Sequence, residues 1–205
     1  AIFSRNEYGY LGTQSNVGCF SLGVTKLIST GQGGVAVTSD RDPYDALRLM
    51  RTHGVTDTFG GEFNQLGLNF RMTDIAASIG LVHLGQVDSR LEHVKAVQAR
   101  YSAALHEMPF IDLLTVNEDA GEIPVYVEAM CEDRDRLIAW LEERGIQARP
   151  LLPDLDHSEH LNASGDFPRS RKFGAQGLYL PGGPAQSLEN VDRVIAALSE
   201  FGNTL

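Results

Sequence analysis

Gly18-Cys19-Phe20-Ser21-Leu22-Gly23-Val24-Thr25-Lys26 is the stretch on which the reading of this 205-residue chain turns. The apolar run 17–20 predicts a short buried strand. It feeds a Ser/Gly/Thr turn that ends on a lysine. Lysine is scarce: Lys26, Lys95 and Lys172 are the only three. Lys95 sits in a helical pattern and Lys172 in a basic cluster with Arg169 and Arg171. Lys26 alone lies among small and apolar residues, with no carboxylate close in sequence. Partial burial at such a position disfavours the charged ammonium. An amine so placed can attack an aldehyde and form a Schiff base. The plainer alternative is a lysine snorkelling at a strand end.

Outward from the lysine, Gly31-Gln32-Gly33-Gly34 predicts a sharp turn and residues 35–38 a β-branched strand. Strand, glycine turn and strand suggest a hairpin that walls the lysine's pocket. The glycines are not a phosphate-binding motif, because no lysine–serine pair follows and a strand comes next. Asp42-Pro43 predicts a helix start with proline at the first helical position, an apolar side of Ala46, Leu47, Leu49 and Met50, and an end at Gly54. A Gly/Thr/Phe/Asn loop over 55–70 is long enough to suggest a functional role. Thr73 is set to cap a helix of small residues ending near Gly85, expected to be buried or at a subunit contact. Leu91, Val94, Val97, Tyr101, Leu105 and Met108 recur at three and four, predicting an amphipathic helix over 88–108 that Pro109 stops.

After Pro109 the pattern becomes strand (123–130), helix (133–144, capped by Asp133), strand (146–152), polar loop (153–166), short helix (167–173), strand (178–180) and a final helix from Ser187 through Phe201. This alternation indicates a small α+β domain over 109–205, following a first domain over 1–108.

Composition narrows the function. A 42% hydrophobic and 21% charged chain is that of a globular protein. No apolar run approaches a membrane span, and the start lacks a signal-peptide pattern. The formal charge of −10 argues against nucleic acid as a partner and for a soluble, cytoplasmic protein. Cys19 and Cys131, far apart in apolar or strand-like settings, are expected to be buried reduced thiols.

The ordered set of 18–26, Gly33-Gly34-Val35-Ala36-Val37, Leu47-Arg48-Leu49-Met50-Arg51-Thr52-His53-Gly54 and Asn69-Phe70-Arg71-Met72-Thr73-Asp74-Ile75 resembles the DegT/DnrJ/EryC1/StrS family of sugar aminotransferases. Gly145-Ile146-Gln147-Ala148-Arg149-Pro150, Gly165-Asp166-Phe167-Pro168 and Gly177-Leu178-Tyr179-Leu180-Pro181 fit it too. The resemblance implies an α/β chain: part of the fold-type-I aminotransferase large domain plus the small α+β domain. It implies pyridoxal 5'-phosphate as cofactor, an amino-acid donor such as glutamate, a nucleotide-linked keto-deoxysugar as acceptor, and a homodimer with a shared active site.

Carried over residue by residue, Lys26 falls where the family bonds its cofactor, and Ser21 where a hydroxyl binds the phosphate. Arg71 matches a position that in many members reaches the partner's phosphate, with Asn69 as a second contact. His157 falls near a histidine of the sugar-facing loop. An acidic chain that takes an anionic nucleotide sugar needs local arginines, and Arg149 is the candidate. Each has a plain alternative: a turn hydroxyl for Ser21, a surface ion pair for Arg71. Asp154, Asp156, His157, Glu159 and His160 resemble metal ligands, but a Pro-flanked loop without helical spacing reads as solvated and metal-free. Lys26 argues against the dehydratases of the family, which carry histidine there. The family's ring-binding aspartate and stacking aromatic have no counterpart, so the resemblance implies a C-terminal portion. A non-catalytic or regulatory member of the fold, and a metal-dependent hydrolase on the His157 loop, are the competing readings.

Overall fold

The computed structural model describes residues 2–63, 65–161 and 164–205. Two compact units divide the chain, Ala1–Arg90 with Asn117–Ile123 and Leu91–Val116 with Pro124–Leu205.

The first unit opens with a small hairpin of β1 (Arg5–Asn6) and β2 (Gly9–Tyr10). The hairpin expected around the lysine turn is present: β3 (Gly18–Ser21) and β4 (Gly34–Val37) pair antiparallel, with Ser21 opposite Gly34. Among the described residues, the sheet has these two strands. One consequence corrects an expectation: β3 is not buried throughout, and Cys19 is exposed, whereas Cys131 is buried.

Helix α1 (Arg41–Arg51) begins before Asp42, with Asp40 as its N-cap. Pro43 therefore stands third rather than first, where its missing N–H still has no intrahelical partner to lose. The expected apolar side buries no residue. His53 and Gly54 stop the helix with successive left-handed dihedrals, φ 56° and 76°. The long loop then closes on itself at a neck. His53 N–H donates to Leu68 O (3.1 Å), Leu68 N–H to Met50 O (2.8 Å) and Phe70 N–H to Arg51 O (3.0 Å). Gly54 and Gly67 meet there, since a β-carbon on Gly67 would stand 1.9 Å from the Gly54 nitrogen. Phe59, Phe63 and Leu66 are exposed beyond the neck, and Asn64 lies outside the described residues.

Helix α2 (Asp74–Gly85) is capped as expected: Thr73 Oγ1 accepts the Ala76 N–H at 3.3 Å. Its small residues do not bury it, because Gly80 alone is buried and Ile75, Ile79, Leu81, Val82 and Leu84 are exposed. Helix α3 (Val87–Leu105) follows after a one-residue break and passes into the second unit at Leu91.

The second unit holds β5 (Ile111–Leu113), β6 (Val127–Cys131), α4 (Arg134–Glu142), β7 (Arg149–Pro150), α5 (Pro168–Gln176), β8 (Gly177–Leu180) and α6 (Leu188–Gly202). The four strands form an antiparallel sheet in the order β5-β6-β8-β7. The predicted stripe of α3 supplies Val97, Tyr101 and Leu105 to a core with Val127, Ala129 and Leu178 of the sheet, Leu137 and Leu141 of α4, and Val191, Leu198 and Phe201 of α6. Each such side chain fully buried contributes about 1.5–3 kcal/mol, so this core dominates the unit's stability. Tyr101 OH donates to Pro181 O at 2.8 Å, which satisfies its one buried polar atom.

Several boundaries shift for physical reasons. The strand expected over 146–152 shrinks to β7, since Pro150 offers no N–H and only an edge position suits it. The strand expected over 123–130 starts at Val127, after Pro124. Asp133 is the N-cap of α4 but its carboxylate makes no cap bond. It faces Arg136 at 3.3 Å instead. Ser187 caps α6 as expected, its Oγ accepting the Asn190 N–H at 3.1 Å. Among the described residues, no helix is long and apolar enough to cross a membrane.

Candidate active site

Lys26 stands in the loop that joins β3 to β4. The loop is closed in stages. Leu22 N–H donates to Gly33 O at 2.9 Å, which extends the hairpin one step past Ser21. Thr30 N–H donates to Leu22 O at 2.9 Å and cuts off a tighter inner turn. Inside it, Lys26 N–H donates to Gly23 O at 3.0 Å. Leu27 and Ile28, next in the chain, are 1% and 2% exposed and anchor the turn. Lys26 itself is half-buried. Its backbone is thus held by hydrogen bonds before it and apolar burial after it. The far side of the loop bends through Gly31 and Gly33, at φ 80° and 132°, a region that glycine enters without steric cost.

Ser21 ends β3 and is exposed. Its Oγ accepts the Gly23 N–H at 3.3 Å, the turn-hydroxyl geometry. That bond uses a lone pair and leaves the hydroxyl proton for another acceptor. Asn69 and Arg71 are joined: Arg71 Nε donates to Asn69 Oδ1 at 3.0 Å, and both are exposed. This bond occupies Nε and not the two terminal nitrogens of the guanidinium. The segment after them runs past the hairpin turn, for a β-carbon on Gly33 would meet Met72 Cε at 3.2 Å.

Arg149 and His157 lie in the second unit. Arg149 pairs with Tyr179 across β7 and β8 and its guanidinium stands 6.0 Å from that ring's centre. His157 ends a 3-10 turn, Leu155–His157, and is exposed. One ligand atom each from Asp154, Asp156 and His157 lies within 4.8 Å of the others, a tighter grouping than the loop-like sequence suggested. Asp154 is already engaged, its Oδ1 accepting from Ser170 Oγ at 3.0 Å. Of the loop expected over 153–166, residues 162 and 163 lie outside the described ones.

Two residues near the lysine turn were not singled out from sequence. His83 Nδ1 accepts the Ser29 N–H at 3.1 Å. Arg90 Nε donates to Leu27 O at 2.9 Å. Burial and the Arg90 charge together hold His83 below the ordinary histidine value of 6.5. The only trace in the sequence is a single imidazole in a helix whose other residues after Asp74 are small or apolar.

The first unit thus carries an amine in a hydrogen-bonded turn, a hydroxyl five residues before it, and an arginine bonded to a neighbouring amide. The sequence profile of the DegT/DnrJ/EryC1/StrS aminotransferase family matches residues 1–199. The chain belongs to this family. Among relatives, a GDP-perosamine synthase of Caulobacter vibrioides is 30% identical over 201 residues, covering 92% of this chain and 53% of that protein. A dTDP-3-amino-3,4,6-trideoxy-α-D-glucose transaminase of Streptomyces venezuelae is 29% identical over 197 residues, with 93% and 52% covered. The crystal structure of S. venezuelae DesV in complex with a ketimine intermediate superposes with a TM-score of 0.86 at 28% identity, covering 97% of this chain and 55% of that one. The mixed α/β architecture expected from the family resemblance is therefore the fold observed, that of the fold-type-I sugar aminotransferases. The chain spans about half the length of the relatives it matches.

Proposed function

We propose that this chain is the lysine-bearing part of a pyridoxal 5'-phosphate-dependent aminotransferase. The reaction moves an amino group from an amino acid, with glutamate as the donor, to the keto carbon of a nucleotide-linked deoxysugar. The donor leaves as a keto acid and the acceptor becomes an amino sugar, so the exchange is redox-neutral overall. Membership of an aminotransferase family supports this reading, as do the nucleotide sugars in the relatives' names. The observation that carries it is Lys26, half-buried and fixed in a turn closed from both ends.

The donor set suits the cofactor. A phosphate dianion needs charge-assisted donors, which the Ser21 hydroxyl and, reaching across the dimer, the terminal nitrogens of Arg71 would supply. Asn69 orients Arg71 through the 3.0 Å bond. When bound, the cofactor supplies a carbonyl that condenses with amines and a ring that accepts electrons from the donor's α-carbon. Lys26 Nζ would hold it covalently, and the same amine, once freed, would serve as the acid–base group that moves the donor's α-proton. We assign His157 and Arg149 to the sugar-nucleotide substrate, Arg149 as a counter-charge to its phosphates. We assign 1–108 to the cofactor domain and 109–205 to the small domain. The exposed apolar residues of α2 support a homodimer whose partner covers them. A cytoplasmic location agrees with this chemistry.

The test is direct. Pyridoxal phosphate is added to the protein, the mixture is reduced with borohydride, and the modified peptide is located by mass. Modification at Lys26, and 2-oxoglutarate release from glutamate with GDP- or dTDP-linked keto sugars, support the proposal; modification elsewhere or nowhere overturns it. A second reading is a non-catalytic member of the fold. That reading requires a dimer without modification at Lys26.

A further inference from the structure

The lysine turn is held on its outer side by the junction of two helices. His83, in the last turn of α2, accepts the Ser29 N–H on Nδ1. Arg90, in the first turn of α3, takes the Leu27 carbonyl. Leu27 and Ser29 are the first and third residues after Lys26. We propose that His83 and Arg90 are positioning residues for Lys26, and that His83 makes the hold proton-dependent: the neutral ring keeps the turn closed and the protonated ring releases it. The inference rests on Lys26 being the cofactor-bonding amine.

The chemistry of the imidazole forces this dependence. To accept from Ser29, Nδ1 must carry a lone pair, so the single ring proton sits on Nε2. A second proton can only go to Nδ1. It would then face the Ser29 N–H, donor against donor. The imidazolium would also stand near the Arg90 guanidinium, the charge that acts on this ring. Residues 27–30 bring no ionisable side chain to it, and Lys26 is the next cation along the chain. Burial and Arg90 both lower the folded-state affinity of His83 for a proton. The sign follows. The unfolded or released ring binds the proton more readily, so the hold is complete above the ordinary histidine value of 6.5 and weakens as pH falls through the lower folded value.

The experiment uses the full chain and two readouts. Ser29 amide hydrogen exchange, corrected for its intrinsic pH dependence, is followed by NMR between pH 5 and 8 alongside the His83 ring nitrogens. Borohydride-trapped pyridoxal phosphate on Lys26 is quantified by mass over the same range. In the parent, Ser29 protection and Lys26 trapping are expected to fall together as His83 Nδ1 protonates. His83→Asn offers an amide oxygen that does not titrate, so protection should persist and the pH step disappear. His83→Phe should lose protection at every pH, on the order of tenfold, the worth of one ordinary hydrogen bond. Arg90→Met should move the step to higher pH. The inference is overturned if His83→Phe protects Ser29 as the parent does, if His83→Asn keeps the step, or if His83 Nδ1 titrates without a change at Ser29. Absence of Lys26 trapping at any pH would overturn the cofactor reading instead, and the Ser29 arm would still judge the latch.

Discussion

Thr30 and Gly80 touch across the first unit: a β-carbon on Gly80 would lie 2.9 Å from Thr30 Cγ2. The contact seats the end of the lysine turn on the face of α2, and only a glycine leaves room for the methyl. Gly80→Ala is therefore expected to destabilise the protein by about 1–3 kcal/mol through overpacking. Urea unfolding would read the loss. Thr30→Ser removes the methyl and keeps the hydroxyl that donates to Gln32 O at 2.7 Å. The double variant should recover most of the stability, and a purely additive result would show that the two residues do not collide.

Lys26→Ala should abolish borohydride trapping of pyridoxal phosphate and cut transamination by at least 10²–10⁴-fold, roughly the contribution of a positioned acid–base group alone. Lys26→Arg keeps the charge but cannot condense with the aldehyde, so it should be equally inactive. Circular dichroism unchanged in both variants would assign the loss to chemistry rather than folding. Residual trapping in Lys26→Ala at the parent's level would move the chemistry to another amine.

Glu128, the residue of β6 opposite Tyr179, has its carboxyl pushed up from 4.5 by desolvation. The folded protein binds this proton more tightly than the unfolded chain. Its favourable contribution is thus complete below the ordinary glutamate value and is lost as pH rises through the folded one. Glu128→Gln should then be more stable than the parent at pH 7, with the gap closing towards pH 4. Equal thermal midpoints for the two proteins at both pH values would contradict this.

Tyr101→Phe should cost about 1 kcal/mol, the net worth of the hydrogen bond to Pro181 O. The fully buried ring is retained, so packing is unchanged. Burial also pushes the phenol upward, and the bond should survive well into alkaline solution. Denaturant midpoints at pH 7 and pH 9.5 should therefore shift by the same amount on substitution.

The second unit was the more legible in sequence, because burial there follows periodicity. Val94, Val97, Tyr101 and Leu105 fall at helical spacing and are all buried. Ser187 sits before its helix and caps it. Prolines limited the legibility: Pro150 cut a predicted strand to its edge position. The first unit defeated periodicity, since α1 and α2 carry apolar residues that this chain leaves uncovered. Cys19 reads as buried for the same reason and is exposed. At the candidate site, the hairpin, the turn and Thr73's cap were legible from local chemistry. The clasp by His83 and Arg90 was not, because it joins residues 54 and 63 positions apart to backbone atoms, which carry no side-chain signature.

The chain passes between its two units at residues 90/91, 116/117 and 123/124. No single scissor point in the gene can then free either half. A truncation at one crossing would leave one piece short of native material and burden the other with a foreign tail. Independent expression of the first half requires the seven-residue return to be grafted back, and of the second, that return to be bridged by a short linker.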